Sequence, residues 1–174
     1  MSIRNQYQKL GVEAFYKKNS DSYENPHEKI VHYLLDIANK KGHIGKTKIL
    51  DLCCGTGQVS NHLKKIGYSN IVGCDPFTNI EFQKRTNLKA YNYDFRYIAM
   101  KGLSEKYSTI ICSFALHLAP ASLLPQLLWQ LSQSCEKLII ISPNKKPEIK
   151  NHFIEVDSFK DSRVICKIYE SVYK

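Results

Sequence analysis

At 174 residues with 43% hydrophobic side chains, the chain is long enough for one domain with a full core and too short to add the separate substrate domain that most dehydrogenases carry. The formal net charge of +9 invites a nucleic-acid reading, but only four of the 25 cationic side chains are Arg, the usual reader of phosphate and guanine, and the Lys are scattered. The longest aliphatic run, Leu138 to Ile141, is far too short to cross a bilayer, and the polar stretch Met1–Gln6 has no secretory pattern, so a cytoplasmic chain is expected.

Ile3, Tyr7, Leu10 and Ala14 recur at helical spacing and predict a helix over residues 3–17, followed by a polar loop through Glu24. Asn25 as cap, Pro26 at the first helical position and Glu28 closing a capping box predict a second helix. Its apolar face is Ile30, Val31, Leu34, Leu35 and Ala38, and Gly42 is its stop. Short apolar runs then alternate with helical stretches. Strands are predicted at Lys48–Leu52, Asn70–Cys74, about Lys89–Tyr91, Thr109–Phe114 and Lys137–Ser142. Helices are predicted from Gln58 to about Ile66, over Asn79–Arg85, as a short turn over 97–103, and from Ser122 onward with Leu124, Leu127, Leu128 and Leu131 on one side. Pro143-Asn144-Lys145-Lys146-Pro147 breaks the chain, and residues 152–159 and 163–171 alternate as a hairpin around Lys160-Asp161-Ser162. No helix is expected between the fifth strand and the hairpin. This order predicts an α/β protein with a doubly wound, mostly parallel sheet that ends in an antiparallel hairpin.

The stretch Ile49-Leu50-Asp51-Leu52-Cys53-Cys54-Gly55-Thr56-Gly57-Gln58-Val59 organises the rest. A buried strand runs into a glycine turn that opens a helix, and Asp75 ends the next strand eighteen residues past Gly57. That is the layout of a nucleotide-cofactor site. A pyrophosphate wants amide donors and no nearby anion. Asp51 before the turn suits a ligand with a cationic group instead, such as an α-ammonium or a sulfonium, and S-adenosylmethionine (SAM) carries both without a phosphate.

On these residues the chain resembles the class I SAM-dependent methyltransferases. Asp51-Leu52-Cys53-Cys54-Gly55-Thr56-Gly57 matches their first motif, with Cys53 in place of the first glycine. Ile71-Val72-Gly73-Cys74-Asp75 is similar to the second, Tyr93-Asp94-Phe95 to the third, and Tyr107 to Leu118 to the fourth strand and the loop after it. The resemblance implies a single domain with a Rossmann-like seven-stranded sheet, with residues 1–44 as a helical lid and 45–174 as the cofactor-binding core. It implies SAM as cofactor. Asp51 would face the methionine end, beside a loop of Cys53, Gly55, Thr56 and Gly57. Asp75 with Pro76 would hold the ribose, Asp94 with Phe95 would meet the adenine, and Ser113 and Phe114 at the end of the fourth strand would complete the cofactor site.

His117 is the candidate for acid–base work, because it follows the fourth strand where methyl group and acceptor should meet. The alternative for His117 is packing under the cofactor. A lid folded over the site would bring Tyr16, Tyr23, Asn25 and His27 to the acceptor. Asn144 and Lys145, with Lys146, follow the fifth strand on the same edge and would suit an anionic acceptor, or else form a solvated turn. There is no N-P-P-Y or D-P-P-Y tetrad after the fourth strand and no Pro-Cys pair in a catalytic loop, so neither amino-methylation of a base or glutamine nor a covalent cytosine mechanism is supported. The expected acceptor is a small molecule, with RNA as the second class and a non-catalytic partner subunit as the third reading. Six cysteines without a C-x-x-C pair give no zinc pattern, and no metal is expected. Cys53, Cys54, Cys74 and Cys112 are expected near one another at strand ends, reduced.

Overall fold

A computed structural model describes residues 27–173. The helix expected over 3–17, the capping residues Asn25 and Pro26, and the acceptor candidates Tyr16, Tyr23 and Asn25 lie outside the described residues.

The first described helix, α1 (Glu28–Lys40), buries Val31, Leu34, Leu35 and Ala38. Strand β1 (Ile49–Leu52) and helix α2 (Gln58–Lys65) follow, then β2 (Ile71–Cys74) and α3 (Asn79–Thr86). The short β3 (Ala90–Tyr91) leads into α4 (Phe95–Lys101). Strand β4 (Tyr107–Ser113), a 3₁₀ turn (Leu116–Leu118) and α5 (Leu124–Ser134) precede β5 (Cys135–Ser142), and β6 (Phe153–Asp161) and β7 (Val164–Ser171) close the sheet. No helix lies between β5 and β6.

The seven strands run in the order β3-β2-β1-β4-β5-β7-β6. All pairs from β3 to β5 are parallel, and β7 is antiparallel to both β5 and β6. Strand period places alternate side chains on opposite faces. Leu50, Leu52, Ile110, Cys112, Leu138 and Ile140 meet α4 and α5 on one face. Ile49, Ile111, Ile139 and Ile141 meet α1 and α2 on the other. Chain order reverses direction between β1 and β4, which opens a crevice at the carboxyl ends of the strands.

Element ends shift by one or two residues from the sequence expectation, as in β4, which runs Tyr107–Ser113 instead of Thr109–Phe114, and three of these shifts are informative. The fourth helix starts at Phe95, ahead of the expected 97–103, because the Asp94 side chain accepts from Tyr97 N and caps it. The fifth strand begins at Cys135, which is already extended (φ −141°, ψ 156°) as the last helical turn ends. The helix expected from Ser122 begins at Leu124, and no side chain caps it.

Candidate functional site

The glycine turn is braced from the neighbouring strand end. Cys53 N and Cys54 N both donate to Cys74 O, at 2.7 and 3.2 Å, and Gly57 N closes the turn on Cys54 O at 3.0 Å. Thr78 Oγ1 donates to Gly55 O at 2.7 Å. Cys53 takes φ +58°, the left-handed region that glycine adopts freely and other residues reach at a cost of roughly 1–2 kcal/mol. The substitution for the first glycine therefore changes the energetics of the turn and not its path.

Asp51 is buried and its Oδ2 accepts from Ser60 Oγ at 2.7 Å. Burial pushes its carboxyl up to about 7, against the pull of that hydrogen bond. Asp75 works as a clamp. Its Oδ1 accepts from Phe77 N (2.8 Å) and Thr78 N (3.0 Å), and its Oδ2 from Gly55 N (3.2 Å). Asp94 Oδ1 accepts from Tyr97 N at 2.6 Å. All three carboxylates line one cavity of ≈ 330 Å³ at the carboxyl edge of the sheet.

Cys53, Gly55, Thr56, Pro76, Phe95, Ser113 and Phe114 line the same cavity. Four other expected groups stand outside the lining. The first is Gly57. It caps α2 with φ +97°, and a Cβ there would lie 2.2 Å from Thr86 Cγ2, so this glycine serves the packing of α2 on α3. His117 is exposed and outside the lining, because the tight 3₁₀ turn directs Leu116 into the core and Leu118 to the cavity. Asn144 and Lys145 are exposed in a turn that Ser142 Oγ holds through Asn144 N at 3.0 Å, again outside the lining. His27 stacks on Phe114 (ring centroids 5.2 Å) and does not face the cavity itself.

The thiols near the turn are kept protonated. A hydrogen bond to Cys112 and burial raise Cys53, burial raises Cys54, and burial pushes Cys74 up to about 12. Among the described residues, no group of three or more His, Cys, Asp or Glu is arranged to hold a metal ion.

A family profile described as a methyltransferase domain matches residues 49–137, from β1 into β5. The chain belongs to this methyltransferase family. An uncharacterized protein of Schizosaccharomyces pombe is 30% identical over 192 residues, spanning 86% of this methyltransferase and 77% of the yeast protein. The structure of magnesium protoporphyrin IX methyltransferase from Synechocystis PCC 6803 with bound SAM matches with TM-score 0.65 at 18% identity, over 99% of this chain and 95% of that one. An N-methyltransferase from Bradyrhizobium japonicum WM9 in complex with S-adenosylhomocysteine (SAH) matches with TM-score 0.70 at 14% identity, over 97% and 99%. At these identities the likeness shows the fold, a Rossmann-like methyltransferase sheet. The cofactor of the family is SAM.

The sequence reading missed several groups that line the cavity of this methyltransferase. Phe77, Tyr93, Leu118 and Leu123 give it apolar walls, and Arg96 adds a cation. Glu28, Val31 and His32 enter from the first turns of α1. The signal for those three was present: Glu28, Val31, His32 and Leu35 sit at i, i+3, i+4 and i+7, so two polar residues extend the stripe that buries Leu35.

Proposed function

We propose that this methyltransferase binds SAM in the cavity at the carboxyl edge and moves the methyl group to an oxygen, nitrogen or sulfur atom of a small-molecule acceptor. The observation that carries the reading is the convergence of a strained glycine turn, three carboxylates and an apolar wall on one cavity of ≈ 330 Å³, a size that suits a ligand of this class. The donor set fits the cofactor. A buried carboxylate at a raised pKa favours a cationic partner, so Asp51 is assigned to the α-ammonium end. Asp75 keeps lone-pair capacity beside its three backbone donors, and a ribose diol would use it. Asp94 would accept from the adenine amino group, with Phe77, Tyr93 and Phe95 around the ring.

When bound, SAM supplies a methyl group on a sulfonium, already a good leaving group. What remains for the protein is to align the acceptor with that methyl and to exclude water. Phe114, Ala115, Leu118 and Leu123 supply the apolar side of the cavity. Ser113 Oγ is buried there without a hydrogen-bond partner, and an acceptor or cofactor heteroatom would satisfy it. We assign no base role to His117, which stands outside the lining. Glu28 and His32 are the titratable groups that α1 brings to the cavity.

The net charge of +9 is the one observation that favours RNA as the second acceptor class. Incubation with methyl-labelled SAM, metabolite pools and short RNAs separates the two. Label in the small-molecule fraction is the expected result. Label in RNA alone would replace this acceptor class, and cofactor binding without any transfer would favour a non-catalytic partner subunit.

A further inference from the structure

A second chamber of ≈ 220 Å³ opens beside the cofactor cavity and shares Glu28, His32, Thr56 and Gln58 with it. Its outer wall is Asn61, His62 and Lys65 of α2 and Arg85 of α3. Where the main cavity is largely apolar, this one is lined by polar side chains throughout.

Two histidines form its floor. The His32 and His62 rings stack with centroids 4.1 Å apart and planes 9° apart. Asp36 Oδ1 lies 2.8 Å from His62 Nε2 and fixes that ring. His32 Nε2 is buried with no hydrogen-bond partner. The Glu28 Oε1 beside it stands at 3.6 Å, outside hydrogen-bond range. Burial, and then the neighbouring His62, hold the His32 imidazole below its ordinary range. A buried, unpaired ring nitrogen costs stability unless a ligand accepts from it.

Lys65 is the cation of this lining for which no ion pair forms among the described residues, since Arg85 is held by Glu81 at 2.7 Å. From α2 and α3 the chamber is faced by Lys65 and Arg85, and from α1 by the single carboxylate Glu28. The other two acids in the neighbourhood are bonded already, Asp36 to His62 and Glu81 to Arg85. Thr56, Gln58 and Asn61 add neutral donors. Donors from three helices and the glycine turn thus converge on one small volume, an arrangement that suits an oxyanion with several acceptor oxygens.

We propose that this chamber binds a phosphate-type oxyanion carried by the methyl acceptor, with Lys65, Asn61 and His32 among its donors. Four shared residues put the chamber directly against the main cavity, so one acceptor molecule is assigned to both, its anion here and its reacting atom at the cofactor. The assignment to the acceptor rests on the cofactor reading given above. It replaces Asn144 and Lys145, which stand outside the main cavity, as the anion-recognising group.

Sulfate is the probe, because it keeps its charge where imidazole titrates, roughly pH 5–8, and the lower part of that range is where His32 gains its proton. The full chain, saturated with SAH, is titrated with sulfate and followed by histidine ring proton resonances and by calorimetry. The proposal expects the His32 and His62 resonances to move and sulfate to bind more tightly as pH falls across that range. It expects Lys65→Ala and Asn61→Ala each to weaken sulfate about fivefold to tenfold, with SAH affinity unchanged. Static resonances, or a Lys65→Ala chain that binds sulfate like the wild type, would overturn it. Displacement of sulfate by SAH would assign the chamber to the cofactor's own carboxylate and overturn it too. So would a short RNA that binds with a steep salt dependence while sulfate does not. Failure of SAH to bind at all strikes the cofactor reading instead, and with it the assignment of the anion to an acceptor.

Discussion

Around β1, β2 and β4, the loops at the carboxyl edge carry left-handed backbone at Cys53, Gly55, Gly57 and Phe114, and a buried carboxylate sits at the end of β1. In the β6–β7 hairpin, the left-handed residue Ser162 makes only the connecting turn, and β6 sends most of its side chains to solvent. On the proposed cofactor reading, the contrast separates strain at Cys53 and Phe114 beside a ligand from ordinary turn geometry. The first region concentrates backbone and charge that are unfavourable without a partner, while the second extends the sheet that holds the first in place. Substitutions near the turn should therefore trade stability against binding, and substitutions in the hairpin should change stability alone.

The largest effect that would break this contrast is Gly57→Ala. With φ +97° and a Cβ 2.2 Å from Thr86 Cγ2, the variant should lose on the order of 2–3 kcal/mol in denaturant unfolding. An unchanged midpoint would show that α2 and α3 separate freely. Next comes Asp51→Asn, which should weaken SAM at least about tenfold by calorimetry while leaving the unliganded chain as stable or more stable at pH above about 7. The sign follows from its carboxyl. Its folded value, about 7, lies above the ordinary carboxylate range, so wild-type stability falls as pH rises through that interval, and the amide has no charge to bury. A lower melting temperature for the variant above that pH would contradict the assignment. Asp75→Ala should weaken SAM by about 1–3 kcal/mol without unfolding the protein, although freeing Gly55 N, Phe77 N and Thr78 N will lower the melting temperature somewhat. Unchanged affinity would remove the ribose contact. The smallest effect is expected at Asp157 on β6. Lys41 and His43, at 2.7 and 2.8 Å, hold its carboxyl down to about 2. The stabilisation it gives is present above the ordinary carboxylate range and is lost as pH falls towards about 2. Asp157→Asn should shift the melting temperature slightly at neutral pH, abolish that acid dependence, and leave SAM affinity alone.

The strand–turn–acid layout was legible in the sequence because each part is local. The apolar run to Leu52, the turn at Gly55 and the acid at Asp75 stand within one β-α-β unit, where spacing alone dictates geometry. The hairpin was legible from its period-two alternation. What could not be read was side-chain direction around short, irregular pieces. His117 and Leu118 are adjacent, and the placement of one 3₁₀ turn decides which of them meets the cavity. Gly57 matched a motif position, yet its lack of a side chain is needed by Thr86, which is far away in sequence. Glu28 and His32 depend on how α1 lies across the sheet, which the helical stripe suggests but the stripe alone does not fix.

The most direct test of the central claim is calorimetric titration of the purified chain with SAM and SAH, with NADH as control, repeated on either side of pH 7. The account predicts one site of micromolar affinity for SAM and SAH and none for NADH. It also predicts affinity that declines as pH falls below about 7, where Asp51 takes up its proton. Absence of SAM binding, or binding of NADH at the same site, would contradict it.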